Sequence, residues 1–375
     1  MFENISNNST KLAHEKVITV CFQSDEAIIK AGRVLAYTII SLLSLCGNSL
    51  VIGVLWQDRK MRKPVIYLIA NMAVADLAIT IVYMPRMISA VIRSYDWLVG
   101  GTMGLVLCKT VPTIHLVSVK VTILTLVFLS VERFSAVSPF AGNKLTVHRV
   151  KVILIAVWLV SFMVHTPNVI ALKLAPGQGG ALICRAYLNK LFGSSKGRKI
   201  YDNVLAAIFY AAPLFLIVVL YMLAAIKLRN RRIARSNAST NGHEASKDKV
   251  NANVFKMLLA VTLAFISCWL SYFVMRKAII GVSISCNVQF VRYFLAHTNS
   301  AVTPCLYITF SQKYRSSFKS IMNKFRCRVP SRVRSGTTLS LLSQSATSFS
   351  SLGIFPRGIN LVSLRVNNNE NGTTV

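Results

Sequence analysis

Ionisable side chains interrupt otherwise apolar stretches at Asp76, His115, Lys120 and His297. An adjacent acid and base, Glu132 and Arg133, stand just past the apolar run "VSVKVTILTLVFL". A charge in or near hydrocarbon is costly and by default marks function. Paired, Glu132 and Arg133 offset each other's desolvation; separated, Arg133 needs new partners, which is the chemistry of a switch. Asp76 is the only carboxylate in the middle of an apolar run. Such a group either ligates a hard cation together with other oxygens or stays protonated and hydrogen-bonded. His115 lies on one helical face with Val119, Thr122, Leu126 and Arg133. Lys120 lies too deep to snorkel, so it needs a polar partner or an acid on a ligand.

These groups must be positioned by apolar elements. The chain is 54% hydrophobic and only 15% charged. Its apolar residues gather in runs of about 20, long enough to cross a bilayer as helices. Seven runs are centred in Val34–Trp56, Val65–Ile92, Thr110–Val131, Val152–Leu172, Asn203–Ile226, Met257–Met275 and Tyr293–Phe310. The expected fold is an all-α integral membrane bundle of seven transmembrane helices, because only helices or closed barrels satisfy their backbone in lipid. No alternating segments of about ten residues suggest a barrel. No internal repeat suggests a common transporter fold.

The net charge of +31 speaks of topology and lipid headgroups. No nucleic-acid module accompanies it, so no nucleic-acid partner is expected. Lys and Arg are richest in "DRKMRKP", "NKLTVHRVK", "KLRNRRIARS" and the segment after the seventh run. Those segments are expected on the cytoplasmic side, with the C-terminus, and the N-terminus outside. This suits the glycosylation sequons at Asn4, Asn7 and Asn8. The start carries no basic-then-apolar signal-peptide pattern, so the first span is expected to direct insertion.

The organisation expected is an extracellular segment 1–33, the bundle 34–310, a surface helix 311–327 and a disordered cytoplasmic tail 328–375. In "SQKYRSSFKSIMNKF", Tyr314, Phe318, Ile321 and Phe325 form one apolar face among basic residues, as in a helix lying on an anionic membrane surface. Cys327 follows, either palmitoylated or a free thiol. The Ser/Thr-rich stretch beyond it is low-complexity. Thr373 and Val375, in "GTTV", match a PDZ ligand.

An ordered set of motifs now gives a resemblance. "GNSLVI" carries Asn48; "LIANMAVADL" carries Asn71 and Asp76; Trp97 lies in the first outer loop. "VERF" ends the third run, and Trp158 lies in the fourth. Pro213 and Tyr221 lie in the fifth, "FISCW" with Phe265 and Trp269 in the sixth, and "NSAVTPCLY" with Pro304 and Tyr307 in the seventh. From about Val34 to Cys327 the chain resembles the rhodopsin-like (class A) G-protein-coupled receptors, most of all the neuropeptide-receptor group.

The resemblance implies roles. Glu132 would hold Arg133 at rest, and Arg133 would face the G protein on activation, with Tyr221, Phe265, Trp269, Pro304 and Tyr307 in the switch. Asp76 would bind an allosteric sodium ion, with Thr122, Asn299, Ser300 and Thr303 as oxygen neighbours. No other cofactor is implied. Cys108 and Cys184 would form a disulfide pinning the second outer loop. Cys21 and Cys286 would form a second, as in several peptide-receptor groups. A receptor kinase and arrestin would act on the tail.

Two departures stand out. Ser271 replaces the usual proline of the sixth span, so its bend needs another source, such as the Ser271 hydroxyl or water. Thr303 replaces the usual Asn before Pro304.

His115 stands where amine receptors carry an aspartate, which disfavours amines. His297 stands where opsins carry the retinal lysine, which rules out a conventional photoreceptor. The two histidines are expected to approach each other, as ligand contacts, as a pH sensor near about 6.5, or as hydrogen-bonded interior groups. With Val119, Lys120 and Trp269 they make up the expected ligand pocket. The outer segments carry many cations, among them Arg86, Arg185, Arg198, Lys199 and Arg292, against Asp96 and Asp202. They are either a vestibule for an acidic ligand or simply solvated charge.

The expected function is a plasma-membrane receptor, not an enzyme, that binds an extracellular ligand, in the first place a neuropeptide, and activates heterotrimeric G proteins. A lipid or small acidic ligand is the alternative within the fold. A transporter or channel is the alternative from another class.

Overall fold

The structure, a computed structural model, describes residues 22, 25–57, 63–94, 96–138, 145–177, 180–236, 242–278 and 285–328. Contacts divide the chain into Met1–Met322 and Asn323–Val375. The helix bundle belongs to the first unit. Of the second, only residues 323–328 are described, and they are helical.

The first span is α1 (Ala27–Gln57). The second is α2 (Pro64–Ala78) and α3 (Met84–Arg93), joined by a π-helical turn, Ile79–Tyr83. The third is α4 (Gly101–Val137) and the fourth α5 (Val147–Ala171). A hairpin, β1 (Leu172–Pro176) and β2 (Leu182–Ala186), follows. After the short α6 (Leu188–Leu191), the fifth span is α7 (Ser195–Ala206) and α8 (Ala212–Ser236), joined by a π turn, Ala207–Ala211. The sixth span is α9 (Gly242–Ala278), the seventh α10 (Cys286–Phe310), and α11 (Gln312–Arg328) follows.

Six helices among the described residues are long and apolar enough to cross a membrane by length and composition. The seventh, α10, falls short because its inner face is polar: Gln289, Arg292, His297, Asn299, Ser300 and Thr303 are all buried. It packs against α9 and α1. Lipid-facing residues elsewhere are exposed and apolar, such as Leu42, Ile155, Phe215 and Leu270, the distribution a hydrocarbon solvent imposes.

Helices run past the apolar limits because backbone bonding and caps outlast the hydrocarbon. The first begins at Ala27, the third at Gly101 and the seventh at Cys286. Pro64 opens α2, where its missing N–H costs nothing. The Thr146, Ser194 and Ser285 hydroxyls accept from the first-turn N–H groups of Arg149, Gly197 and Asn287.

Both π turns precede a proline, Pro85 and Pro213. A proline removes one backbone bond and crowds the preceding turn, and one extra residue in that turn relieves the clash. The extra residue also rotates the following side chains. Tyr83 and Tyr210, each within its π turn and partly buried, contact the buried His115 and Lys120. The sixth span has no proline and no π turn; Ser271 Oγ donates to the Cys268 carbonyl at 3.4 Å.

Spans one and seven meet without clearance. A Cβ on Gly47 would lie 2.5 Å from Pro304 Cγ. We therefore expect Gly47→Ala to destabilise the protein by about 1–3 kcal/mol, the usual cost of overpacking. Thermal unfolding of the purified protein measures this. Gly32→Ala, with nothing within 4 Å of its added methyl, is the control expected to show no loss.

Candidate functional site

Three polar layers cross the bundle. Near the C-terminal end of the third span, Arg133 is buried and both its Nε and Nη2 donate to the Glu132 carboxylate. Phe134 receives the Lys227 ammonium over its ring at 4.5 Å, while Lys227 donates to Ser138 Oγ at 2.6 Å. Nearby, Thr262 donates to the Tyr221 hydroxyl at 3.4 Å. Tyr307 is fully buried, within 4.0 Å of Met72 Sδ, and stacks on Tyr314 of α11 at 5.7 Å. Burial pushes the Tyr314 phenol up from its usual pKa.

The middle layer centres on Asp76, which is 1% exposed. Its Oδ1 accepts from Ser300 Oγ at 2.8 Å, while its Oδ2 is buried with no hydrogen-bond partner. Asn299 Oδ1 and Asn48 Oδ1 are likewise buried without partners. Asn48 Nδ2 donates to the Ser300 carbonyl at 2.9 Å and so ties span one to span seven. Thr122 and Thr303 are buried, and their hydroxyls donate to the Ser118 and Asn299 carbonyls at 3.1 and 2.9 Å. Hydroxyls and carbonyls keep lone pairs when they act this way, so the donor set is all oxygen. Oxygen is the donor chemistry that a hard cation takes.

One turn away, Asn71 is fully used. Its Nδ2 donates to Thr125 Oγ1 and its Oδ1 accepts from Trp158 Nε1, both at 2.9 Å. One side chain thus fastens spans two, three and four.

The third layer, at the opposite end of the bundle from Arg133, is aromatic. His115 and His297 meet, Nε2 to Nε2, at 3.1 Å, and the Tyr37 hydroxyl lies 3.2 Å from His297 Nδ1. One Nε2 carries the proton and the other accepts it, because two lone pairs or two N–H groups at this distance would repel. Tyr83 stacks on His115 at 4.0 Å and 18°. Trp269 stacks on Phe265 at 6.0 Å and edges toward Tyr272 at 5.5 Å. Val119, 3% exposed, belongs to the same core. Lys120, 1% exposed, donates to the Tyr210 hydroxyl and lies over its ring at 3.4 Å. Tyr210 in turn packs on Phe273 at 4.0 Å.

The hairpin roofs this layer. Cys184 pairs in register with Leu174 and is bonded to Cys108, with Cα atoms 5.5 Å apart. Trp97 joins the sheet, its N–H donating to the Leu182 carbonyl at 2.6 Å. Cys286 is disulfide-bonded. Cys21, Asn4, Asn7, Asn8, Thr373 and Val375 lie outside the described residues, as does the side chain of Cys327.

Several participants were not singled out in the sequence. Tyr37, Tyr83 and Tyr210 are the chief ones; "YMP" and "YAAP" were the available signal, a tyrosine just before a helix-distorting proline. Arg33 is another: it pairs with Asp25, donates to Asn287 Oδ1, and lies between the rings of Phe22 and Phe290 at 4.9 and 5.0 Å. Arg292 is a correction of place. It is not in an outer loop but on the buried face of α10, 8% exposed, because that helix starts a full two turns before its apolar stretch.

A family model described as "7 transmembrane receptor (rhodopsin family)" matches residues 47–307. The chain belongs to that family of receptors. Among curated proteins it is similar to "Neuropeptide FF receptor 2" of Rattus norvegicus and of Mus musculus. Each is 28% identical over 317 residues, covering 78% of this chain and 72% of the relative.

The histidine pair makes a measurable prediction. Replacing His115 and His297 with Ala singly and together is expected to give a coupling of about 0.5–3 kcal/mol. Thermal unfolding of the four proteins measures it, and zero coupling would mean that the contact contributes nothing.

Proposed function

We propose that the protein is a plasma-membrane receptor for an extracellular peptide, with its N-terminus outside, and that ligand binding activates heterotrimeric G proteins. It catalyses no reaction. The observation that carries the mechanism is the buried Arg133, held only one residue away by Glu132 at the inner end of the third span. A buried ion pair of this kind is balanced while closed. Breaking it strands a guanidinium that must find new acceptors, and a G protein inserted between opened fifth and sixth spans supplies them. The ligand acts by preferring the open state.

The aromatic layer provides the link. His115, Trp269 and His297 come from spans three, six and seven, and Trp269 stacks down onto Phe265. A ligand that displaces these rings changes the packing of the sixth span. The peptide class is supported by the likeness to the neuropeptide FF receptors. A second support is the disulfide-pinned hairpin over the mouth. Phosphorylation by a receptor kinase, arrestin recruitment, palmitoylation of Cys327 and PDZ binding through Thr373 and Val375 belong to the same reading.

The closed state would be held by sodium at Asp76, Asn299, Ser300, Thr122 and Thr303. The unpartnered Asp76 Oδ2 and Asn299 Oδ1 support this. The ion supplies a counter-charge that a buried carboxylate lacks. Asp76 and Ser300 meanwhile keep spans two and seven together through their own hydrogen bond.

Two outcomes test the reading. Arg133→Ala, at matched surface expression and challenged with a peptide library, is expected to lose G-protein activation by about 10-fold or more while ligand binding persists; an unchanged response sinks the mechanism. In purified protein, replacing potassium with sodium is expected to raise the thermal midpoint. Asp76→Asn should abolish that difference, and a sodium effect that survives the substitution would place the ion elsewhere.

A further inference from the structure

Arg292 is the unusual cation of this bundle. It is 8% exposed, on the inner face of the seventh span, one turn from buried Gln289. Its Nε has no hydrogen-bond partner. Among the described residues no carboxylate pairs with it. The described outer acids that pair do so elsewhere: Asp25 with Arg33, and Asp202 with Arg198. The Arg292 guanidinium lies over two rings, Tyr272 at 5.3 Å and Tyr293 at 4.8 Å. A cation–π contact steadies the guanidinium but satisfies none of its five N–H donors. A buried guanidinium left this way is an incomplete ion pair.

The rings around it are continuous with the layer already described. Tyr293 meets Tyr272 at 5.5 Å, Tyr272 meets Trp269 at 5.5 Å, and Trp269 meets Phe273 at 5.9 Å. Phe273 adjoins Tyr210, which carries Lys120. An aromatic wall therefore runs between two buried cations. Arg292's planar fork of donors matches a carboxylate, which it can bind in bidentate fashion.

We propose that Arg292 is the ligand's anchor and that the ligand presents a carboxylate to it, with an apolar or aromatic body against Tyr272, Tyr293 and Trp269. The proposal rests on the receptor reading above and narrows it to acidic ligands. The carboxylate can come from a peptide's free C-terminus, from an acidic peptide side chain, or from a small organic acid. An anion in this position completes the ion pair, so binding energy is concentrated at one residue of the seventh span.

The test has a ligand-free arm and a signalling arm. In purified full-length protein without ligand, Arg292→Met is expected to raise the thermal midpoint, because an uncompensated buried charge is removed. A lower midpoint would mark the guanidinium as structural and overturn the proposal. This arm does not depend on signalling.

In cells, wild type and Arg292→Gln at matched surface levels meet three probe pools. These are peptides as free acids, the same peptides as C-terminal amides, and small carboxylic acids with their methyl esters. Active probes are expected to contain a carboxylate and to weaken at least about 30-fold on its neutralisation and on Arg292→Gln. The pool that responds, and whether amidation alone abolishes the response, identifies the source of the carboxylate. Active probes that keep their potency as neutral forms, or on Arg292→Gln, overturn the proposal. If the receptor reading itself fails, no pool signals through G proteins in either protein, and the midpoint comparison still decides whether Arg292 is an open anion site.

Discussion

A polar atom in hydrocarbon has no water to turn to, and everything else in this protein follows from that. The backbone answers it by closing into helices. The side chains answer it by facing inward, so the polar groups of seven helices gather along one axis. Where they are fully matched, as at Asn71, they act as fasteners: one amide joins Thr125 and Trp158 from two other spans. Where they are not matched, as at Asp76, Asn299 and Arg292, something else must complete them.

The same solvent explains the uneven character of the spans. The seventh is the least apolar because it supplies the polar face, from Gln289 down to Thr303. Its departure from a membrane-like composition is a consequence of its position between spans one and six. Gly47 lets Pro304 approach, and Asn48 reaches the Ser300 carbonyl exposed beside it. Close packing and polar satisfaction are one arrangement at that contact.

Prolines place the aromatic partners. Pro85 and Pro213 each lie just beyond a π turn, and those turns bring Tyr83 onto His115 and Tyr210 onto Lys120. The sixth span lacks a proline, and Ser271 bonds only weakly to the preceding turn. Among the described residues the π turns thus lie in spans two and five, next to the groups whose charge or tautomer matters. The ion pair at Arg133 lies at the far end of the third span from His115. One helix, Gly101–Val137, carries both.

Periodicity and run length alone determined that the chain makes seven helices in a membrane. They also marked Asp76, His115, Lys120, Glu132 and Arg133 as exceptional, because composition reports directly on the solvent a segment tolerates. The disulfide between Cys108 and Cys184 came with the family resemblance rather than from spacing. The hairpin between Leu172 and Ala186 was not legible, since two five-residue strands carry little pattern of their own. The helices begin at Ala27, Gly101 and Cys286, ahead of the apolar runs, because backbone bonds continue where hydropathy stops. The approach of His115 to His297 was legible beforehand, whereas tertiary structure alone decided the other partners: Tyr210 for Lys120, Tyr83 for His115, and none for the Arg292 Nε. Sequence reports what each segment prefers as a solvent, whereas a partner is a matter of which helix faces which, and that is set by packing among all seven.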